Sequence, residues 1–397
     1  MKIELQHHIE KNLSKVEEWM KKHLKKVKHP LYSSVDLRDA GYKIAPVDHN
    51  VFSGGFNNLT EKSKVQASQY FKEALHSLQP GIQKIGIFPE THTSNKFYLD
   101  NVLTLKSILE AAQCEVYIIT TIDLPHGAQE FPSFSKGVMK LHQVFIQNNK
   151  ATVENIFLDM IILNNDLSNG PIEMFKSLDI PLLPPQSLGW YQRKKSSYLE
   201  AYHKLAYEFS ELIDVDPWFL STIHERVEEV SFKEQKGMDL ISKSVEKVLG
   251  KIRKKFEKHH IKRQPYVFLK NNSGTYGMGV LALYSPDDVY ALNRGQRQEM
   301  SYGKSKKPIT DIIIQEGVPT SKIIGDCIGE PVMYVVNGCA VGGFVRVHCD
   351  KTDIENLNVR GMTFKPFDCD EDPIGSVYGL ISVLSSLAVG YEVKQYP

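Results

Sequence analysis

The sequence predicts an α/β N-terminal half, a mainly helical middle and an α+β C-terminal region, and three observations carry that reading. Short apolar runs at Ile85-Gly-Ile-Phe88, Val116-Tyr-Ile-Ile-Thr120 and Met160-Ile-Ile-Leu163 alternate with helical stretches at 60–78 and 96–113, as buried parallel strands and their flanking helices do. Residues 187–262 read as mainly helical, with a break at Pro217. Beyond 264, strand-length apolar runs return near 266–270, 280–284, 311–315, 332–336 and 340–347.

The first element is an amphipathic helix over 2–28. Ile9, Leu13, Val16, Met20, Leu24 and Val27 recur at three- and four-residue spacing, and Pro30 ends the pattern. Its Lys/Glu face reads as solvated. In the α/β part each predicted strand runs into polar residues: Pro89-Glu-Thr-His92, Thr121-Ile-Asp123 and Asn164-Asn-Asp166. The carboxyl ends of such strands are where open α/β sheets gather ligands. Farther on, Val335-Val-Asn-Gly-Cys-Ala-Val341 is two apolar runs about an Asn-Gly turn, a hairpin signal. The polar, basic loop from Asn293 to Lys307 is a candidate lid.

Charge excludes some function classes. With 48 basic and 47 acidic residues the net charge is +1, so no global field points to nucleic acid or to a membrane surface. No apolar run approaches the roughly 20 residues a membrane span needs, and Met1 to His8 lack the apolar core of a signal peptide. Cys114, Cys327, Cys339, Cys349 and Cys369 form no CxxC and no even disulfide framework. That spacing predicts unpaired cysteines in a reducing, cytoplasmic compartment and argues against structural zinc.

The most informative segment is Phe268-Leu-Lys-Asn-Asn-Ser-Gly-Thr-Tyr-Gly-Met-Gly-Val280. It reads as strand, glycine-rich turn, strand, with Lys270 where the first strand meets the turn. Ser273, Gly274, Thr275, Tyr276, Gly277, Met278 and Gly279 can bring backbone N–H groups close to phosphate oxygens, and Lys270 adds a point charge. A plain hairpin loop is the alternative. Downstream, Asp311-Ile-Ile-Ile-Gln-Glu316 is a strand ending in a Gln-Glu pair, and Arg346 sits late in the strand after the Asn-Gly turn. Glu355, Asn356, Asn358 and Arg360 then cluster in a loop. Carboxylate and amide oxygens suit Mg²⁺, and arginines suit a transferring phosphoryl group. A polar loop capped by its own asparagines fits the same residues.

In that order these pieces resemble the ATP-grasp ligases. The resemblance implies a C-terminal ATP-grasp-like two-lobe region holding ATP and Mg²⁺ behind an N-terminal Rossmann-like α/β domain. It implies phosphate contacts from Lys270 and residues 273–279, and adenine contacts from Gln315, Glu316 and Val318. Mg²⁺ then falls to Glu355 with Asn356 or Asn358, and Glu330 competes for that role because the family's Glu-x-Asn pair appears here only as Glu355-Asn-Leu-Asn358. Arg346 and Arg360 would stabilise the transferring group.

Val35 to Leu59, Pro89 to Asn95, Leu188 to Ser196 and Glu355 to Phe367 narrow the likeness to a bacterial glutamate–cysteine ligase family over most of 31–370. That implies L-glutamate and L-cysteine as small-molecule substrates. Arg38 or Lys43 is a candidate for a substrate carboxylate, Arg193 to Lys195 for phosphate or carboxylate, and Asp48 and Glu90 for an ammonium. Asn50, Asn57, Asn58 and Asn95 are candidates for other polar ends. The expected domains are an N-terminal helix (1–30), a substrate domain (31–190), a helical segment (191–262) and a nucleotide-binding region (263–397). A different carboxylate–amine ligase, or a nucleotide-binding regulator without turnover, stays open at this point, as does a homo-oligomer.

Overall fold

The computed structural model describes residues 2–274, 279–303, 308–368 and 377–393. The predicted N-terminal helix is two, α1 (Lys2–Lys11) and α2 (Leu13–Lys26), broken at Asn12. β1 (Tyr32–Asp39) and β2 (Ile44–Asn50) follow, then α3 (Glu61–Leu78), whose N-cap Thr60 accepts from the Ser63 N–H. Next come β3 (Lys84–Pro89), α4 (Lys96–Ala111), β4 (Glu115–Thr120), β5 (Ala128–Pro132) and β6 (Val138–Gln143). A small three-stranded sheet of β7 (Phe145–Gln147), β8 (Lys150–Val153) and β9 (Ile156–Phe157) precedes β10 (Met160–Asn164) and β11 (Leu182–Leu183).

The second half opens with α5 (Lys195–Ile213), β12 (His224–Glu228) and α6 (Met238–Lys258). The expected helical middle therefore contains a strand. β13 (Val267–Asn271), β14 (Val280–Leu283), α7 (Arg294–Glu299), β15 (Asp311–Glu316) and β16 (Lys322–Ile324) come next. β17 (Cys327–Val336), β18 (Cys339–His348), β19 (Thr363–Phe367) and α8 (Val377–Glu392) complete the described chain. The described part of the candidate lid, 293–303, is largely α7 and its cap, and 304–307 lie outside the described residues.

Three larger sheets organise these elements. A mainly parallel sheet runs β11-β10-β3-β4-β6-β5, with the three predicted strands at its centre. An antiparallel sheet runs β12-β15-β13-β14 and packs on the apolar stripe of α6, where Ile241, Val245, Val248, Leu249 and Ile252 are buried. The third, antiparallel, runs β19-β18-β17-β1-β2 with β16 on the edge of β17. β1 thus joins a strand about 300 residues downstream (Tyr32 opposite Val336) with β2 on its other edge, and this sheet crosses the boundary expected at 190.

The third sheet is covered on both faces. Along β17, Val332, Tyr334 and Val336 pack with α3, α4 and the parallel sheet, while Met333 and Val335 pack with α5 and α8. That is the period of two of a strand buried on both sides. α8 is buried along nearly its whole length, touching β1, β2, β17, β18 and α5. No helix among the described residues is long and apolar enough to cross a membrane.

One expectation about cysteine is corrected: Cys327 and Cys349 form a disulfide. They face each other where β17 begins and β18 has just ended. Their 22-residue separation hides a partnership that the antiparallel register creates.

Candidate active site

The face of the third sheet that carries Val332 and Tyr334 also carries Glu330, two residues earlier on β17. Strand alternation puts Ser34, Asp36 and Arg38 of β1 and Phe344 and Arg346 of β18 beside them. Two cavities open over this face. The larger holds about 270 Å³ and is bounded by Asp36, Asn50, Glu90, Asp166, Trp190 and Phe344, among others. The smaller holds about 80 Å³ between the same sheet and the β13–β14 hairpin, against Arg38, Lys195, Phe268, Lys270, Gly274 and Val318. Asp36, Asp48, Arg346 and Asn358 line both, so the cavities meet at a charged wall.

Ion pairs fix that wall. Glu330 and Arg346 are opposite each other in the β17–β18 register, Nη1 to Oε1 2.5 Å. Arg346 Nη1 also reaches Asp36 Oδ2 at 3.1 Å, while the second oxygen of Glu330 takes Arg38 Nε. Lys195 donates to both oxygens of Asp48 at 2.7 and 2.6 Å. Burial alone would raise Glu330 and Asp48, but Arg38 with Arg346, and Lys195 with Lys270, outweigh it and hold both carboxyls below their ordinary values. For Asp36 burial wins over Arg346 and its carboxyl is raised. Burial would lower Arg346; Asp36 and Glu330 reverse this and keep the guanidinium charged.

Lys270 stands on β13 opposite Val280 and donates to Gln315 Oε1 at 2.7 Å. Burial lowers it to about 8, with the Asp48 carboxylate opposing and Lys195 and Arg38 adding to the drop. In the smaller cavity four cations (Arg38, Lys195, Lys270, Arg346) face three carboxylates (Asp36, Asp48, Glu330), which leaves one positive charge in excess for an anion. Asn271 N–H donates to Gly279 O at 3.2 Å across the mouth of the glycine turn. Thr275, Tyr276, Gly277 and Met278 lie outside the described residues.

The fold has a counterpart among known proteins. The family model for glutamate-cysteine ligase, GshA, matches residues 6–393. The chain belongs to that family. A 1.90 Å crystal structure described as that of a gamma-glutamylcysteine synthetase from Methylobacillus flagellatus KT is similar throughout: TM-score 0.91 and 33% identity over 99% of this chain and 96% of that one. A D-alanyl-alanine synthetase A from Vibrio cholerae O1 biovar eltor aligns with 78% of this chain and 81% of its own at 11% identity, but its TM-score of 0.36 carries no argument. No curated protein matches in sequence. The protein is an enzyme, a ligase of an ATP-dependent family.

In the ligase, several residues singled out in the sequence come together. Asp48, Asn50, Asn58, Glu90 and Arg346 line the larger cavity, and Arg38, Lys270, Gly274, Val318, Glu330, Asn356 and Asn358 line the smaller. Others lie elsewhere. Lys43 and Glu316 pair with each other at 2.7 Å behind the cleft, where Trp218 Nε1 and the Ile223 N–H also donate to Glu316. Burial lowers Lys43 to about 8, with Glu316 opposing. Gln315 is buried between Lys270 and Thr222.

Arg193 spends its guanidinium on Glu392 and on the His49 carbonyl, and its own carbonyl accepts from Ser273. Asn95 caps α4, and Asn57 sits in the turn Phe56–Asn58. The Glu355 carboxylate accepts from Lys351 and Thr352, which hold it down at about 2; its carbonyl, not its carboxylate, meets Arg38. Arg360 is exposed. Among the described residues no cluster of three or more His, Cys, Asp or Glu is arranged for a metal.

Sequence reading missed Asp36 and Trp190, placed Asp166 only at a ligand-gathering strand tip, and took Lys195 only as part of the basic run 193–195. Lys195 and Trp190 did sit inside a quoted motif. Only the fold shows that one meets Asp48 and that the other faces the cavity.

Proposed function

We propose that the two cavities bind the reactants of an ATP-dependent joining of the γ-carboxylate of L-glutamate to the amine of L-cysteine. ATP lies in the smaller cavity, under an ATP-grasp-like hairpin, with its γ-phosphate at the shared wall; the amino acids lie in the larger. The observation that carries this reading is the wall itself: Arg346, Asp36, Asp48 and Asn358 touch both spaces, so a group leaving one arrives in the other.

A carboxylate is a poor electrophile at neutral pH. The γ-carboxylate oxygen attacks the γ-phosphorus of ATP, ADP leaves, and a γ-glutamyl phosphate forms. The neutral amine of cysteine adds to that acyl carbon, a proton is lost, and inorganic phosphate departs with the C–O bond electrons. Positioning and charge stabilisation are the protein's share of such a transfer. Arg346 is held charged by Glu330 and Asp36 and would stabilise the equatorial oxygens. Lys270 would neutralise the bound phosphates at physiological pH. Asn356 and Asn358, with the Asp36 carboxylate, offer hard oxygens that fit a phosphate-borne Mg²⁺, which would add charge neutralisation when bound.

The test is ADP release with paired substrates. Glutamate plus cysteine should support turnover and yield γ-glutamylcysteine, whereas γ-glutamylcysteine plus glycine should not. The reverse pattern would reject the reading.

A further inference from the structure

Three residues that line the larger cavity, Trp190, Asn50 and Arg346, each keep a buried polar side-chain atom without a partner among the described residues, and Arg346 Nε belongs to the charged wall. Trp190 is only 5% exposed, lines the cavity, and its Nε1–H has no partner among the described residues. Asn50 lines the same cavity, and its Oδ1 is likewise unpartnered. A buried donor left unmade is costly, and native folds keep few of them. An indole N–H only donates and an amide oxygen only accepts, so a ligand that meets both carries an acceptor and a donor.

The indole is held firmly enough to select. Its backbone N–H donates to Asp166 O at 3.0 Å, and a side chain at neighbouring Gly189 would collide with Leu167 at 2.7 Å. Arg193 and Lys195 lie over its ring, 5.0 and 4.7 Å from the centroid, and anchor it by cation–π contacts. By contrast Val332, Phe344, Met362 and Phe364 form an apolar side of the same cavity, suited to a thiol-bearing side chain rather than to a second charged head.

We infer that Trp190 and Asn50 seat the α-amino-acid head of glutamate, Trp190 Nε1 donating to the α-carboxylate and Asn50 Oδ1 accepting from the α-ammonium. The γ-carboxylate then points to the wall of Asp36 and Arg346. This assignment rests on the ligase reading above for the identity of the amino acid.

Trp190→Phe removes the N–H and keeps an aromatic ring; Asn50→Ala removes the acceptor from a second position, and melting curves confirm that each variant is folded. Glutamate binding is titrated calorimetrically with Mg²⁺ and a non-hydrolysable ATP analogue, so no turnover is needed. Each variant should weaken glutamate about 10- to 100-fold, the range for a hydrogen bond to a charged group. Cysteine and nucleotide affinity should stay within about twofold of wild type. Trp190→Phe should also discriminate less than wild type against 4-aminobutyrate, which lacks the α-carboxylate, and Asn50→Ala less against glutarate, which lacks the amine. Unchanged glutamate affinity in folded Trp190→Phe, or weakening confined to cysteine, overturns the assignment. If the wild type still ligates in that case, the ligase reading stands; failure of the wild type to ligate while the binding pattern holds would instead count against that reading.

Discussion

Arg193 and Glu392 lie 199 residues apart and form a buried ion pair in which two guanidinium nitrogens meet one carboxylate at 2.9–3.3 Å. Burial raises the Glu392 carboxyl, with Arg193 opposing. The pair fastens the C-terminal helix to the segment that carries Trp190 and Lys195, and Arg193 Nη1 also holds His49 O between Asp48 and Asn50. Glu392→Ala should therefore cost about 3–5 kcal/mol, since it strands a buried cation. Replacing both residues by methionine should recover most of that loss. Urea midpoints of the single and double variants check this.

Lys270 governs a pH dependence. Its ordinary value is 10.5 and burial brings it to about 8, so below pH 8 the ammonium is present and above it the charge is lost. ATP favours the charged form. The ATP dissociation constant should thus be flat below about pH 7.5 and rise roughly tenfold per pH unit above 8, until the pKa of the bound state is reached. Lys270→Arg, which does not titrate there, should flatten the profile. Calorimetric titration between pH 7 and 9.5 reads both.

Much of the α/β part was legible because its signals are local. The runs at 85–88, 116–120 and 160–163 are strands, and 60–78 and 96–113 are helices within two residues of the reading. β1 and β2 were not read as strands, since β1 finds its other neighbour, β17, far downstream and both strands are largely buried, which erases alternation. α8 escaped for a similar reason: a helix buried on nearly every side shows no apolar stripe. At the site, Lys270 and Arg346 could be picked out by motif. The pairing of Lys43 with Glu316 and of Arg193 with Glu392 could not, because charge in a sequence does not reveal whether it will be spent on another charge or on a ligand.

Gly55 is required by crowding at the cavity. Its φ is +94°, and a Cβ there would stand 2.8 Å from Tyr334 OH and 3.3 Å from Phe344 Cε1. Gly55→Ala should cost about 1–3 kcal/mol and raise KM for the amino-acid substrates while leaving KM for ATP unchanged. Steady-state kinetics beside a urea melt separate the two effects.

The Cys327–Cys349 bridge closes a 22-residue span of chain. Cys349→Ser should lower stability by about 3 kcal/mol under non-reducing conditions. Dithiothreitol should bring the wild type down to the same midpoint and leave the variant unchanged.

In the proposed mechanism a phosphoryl group passes from ATP to the γ-carboxylate of glutamate at the wall shared by the two cavities. Turnover with glutamate carrying ¹⁸O in its γ-carboxylate tests it most directly, with the released phosphate read by mass spectrometry. An acyl phosphate requires one labelled oxygen in each phosphate formed, because the carboxylate oxygen that attacks phosphorus leaves with it. Unlabelled phosphate released in step with γ-glutamylcysteine would contradict the account.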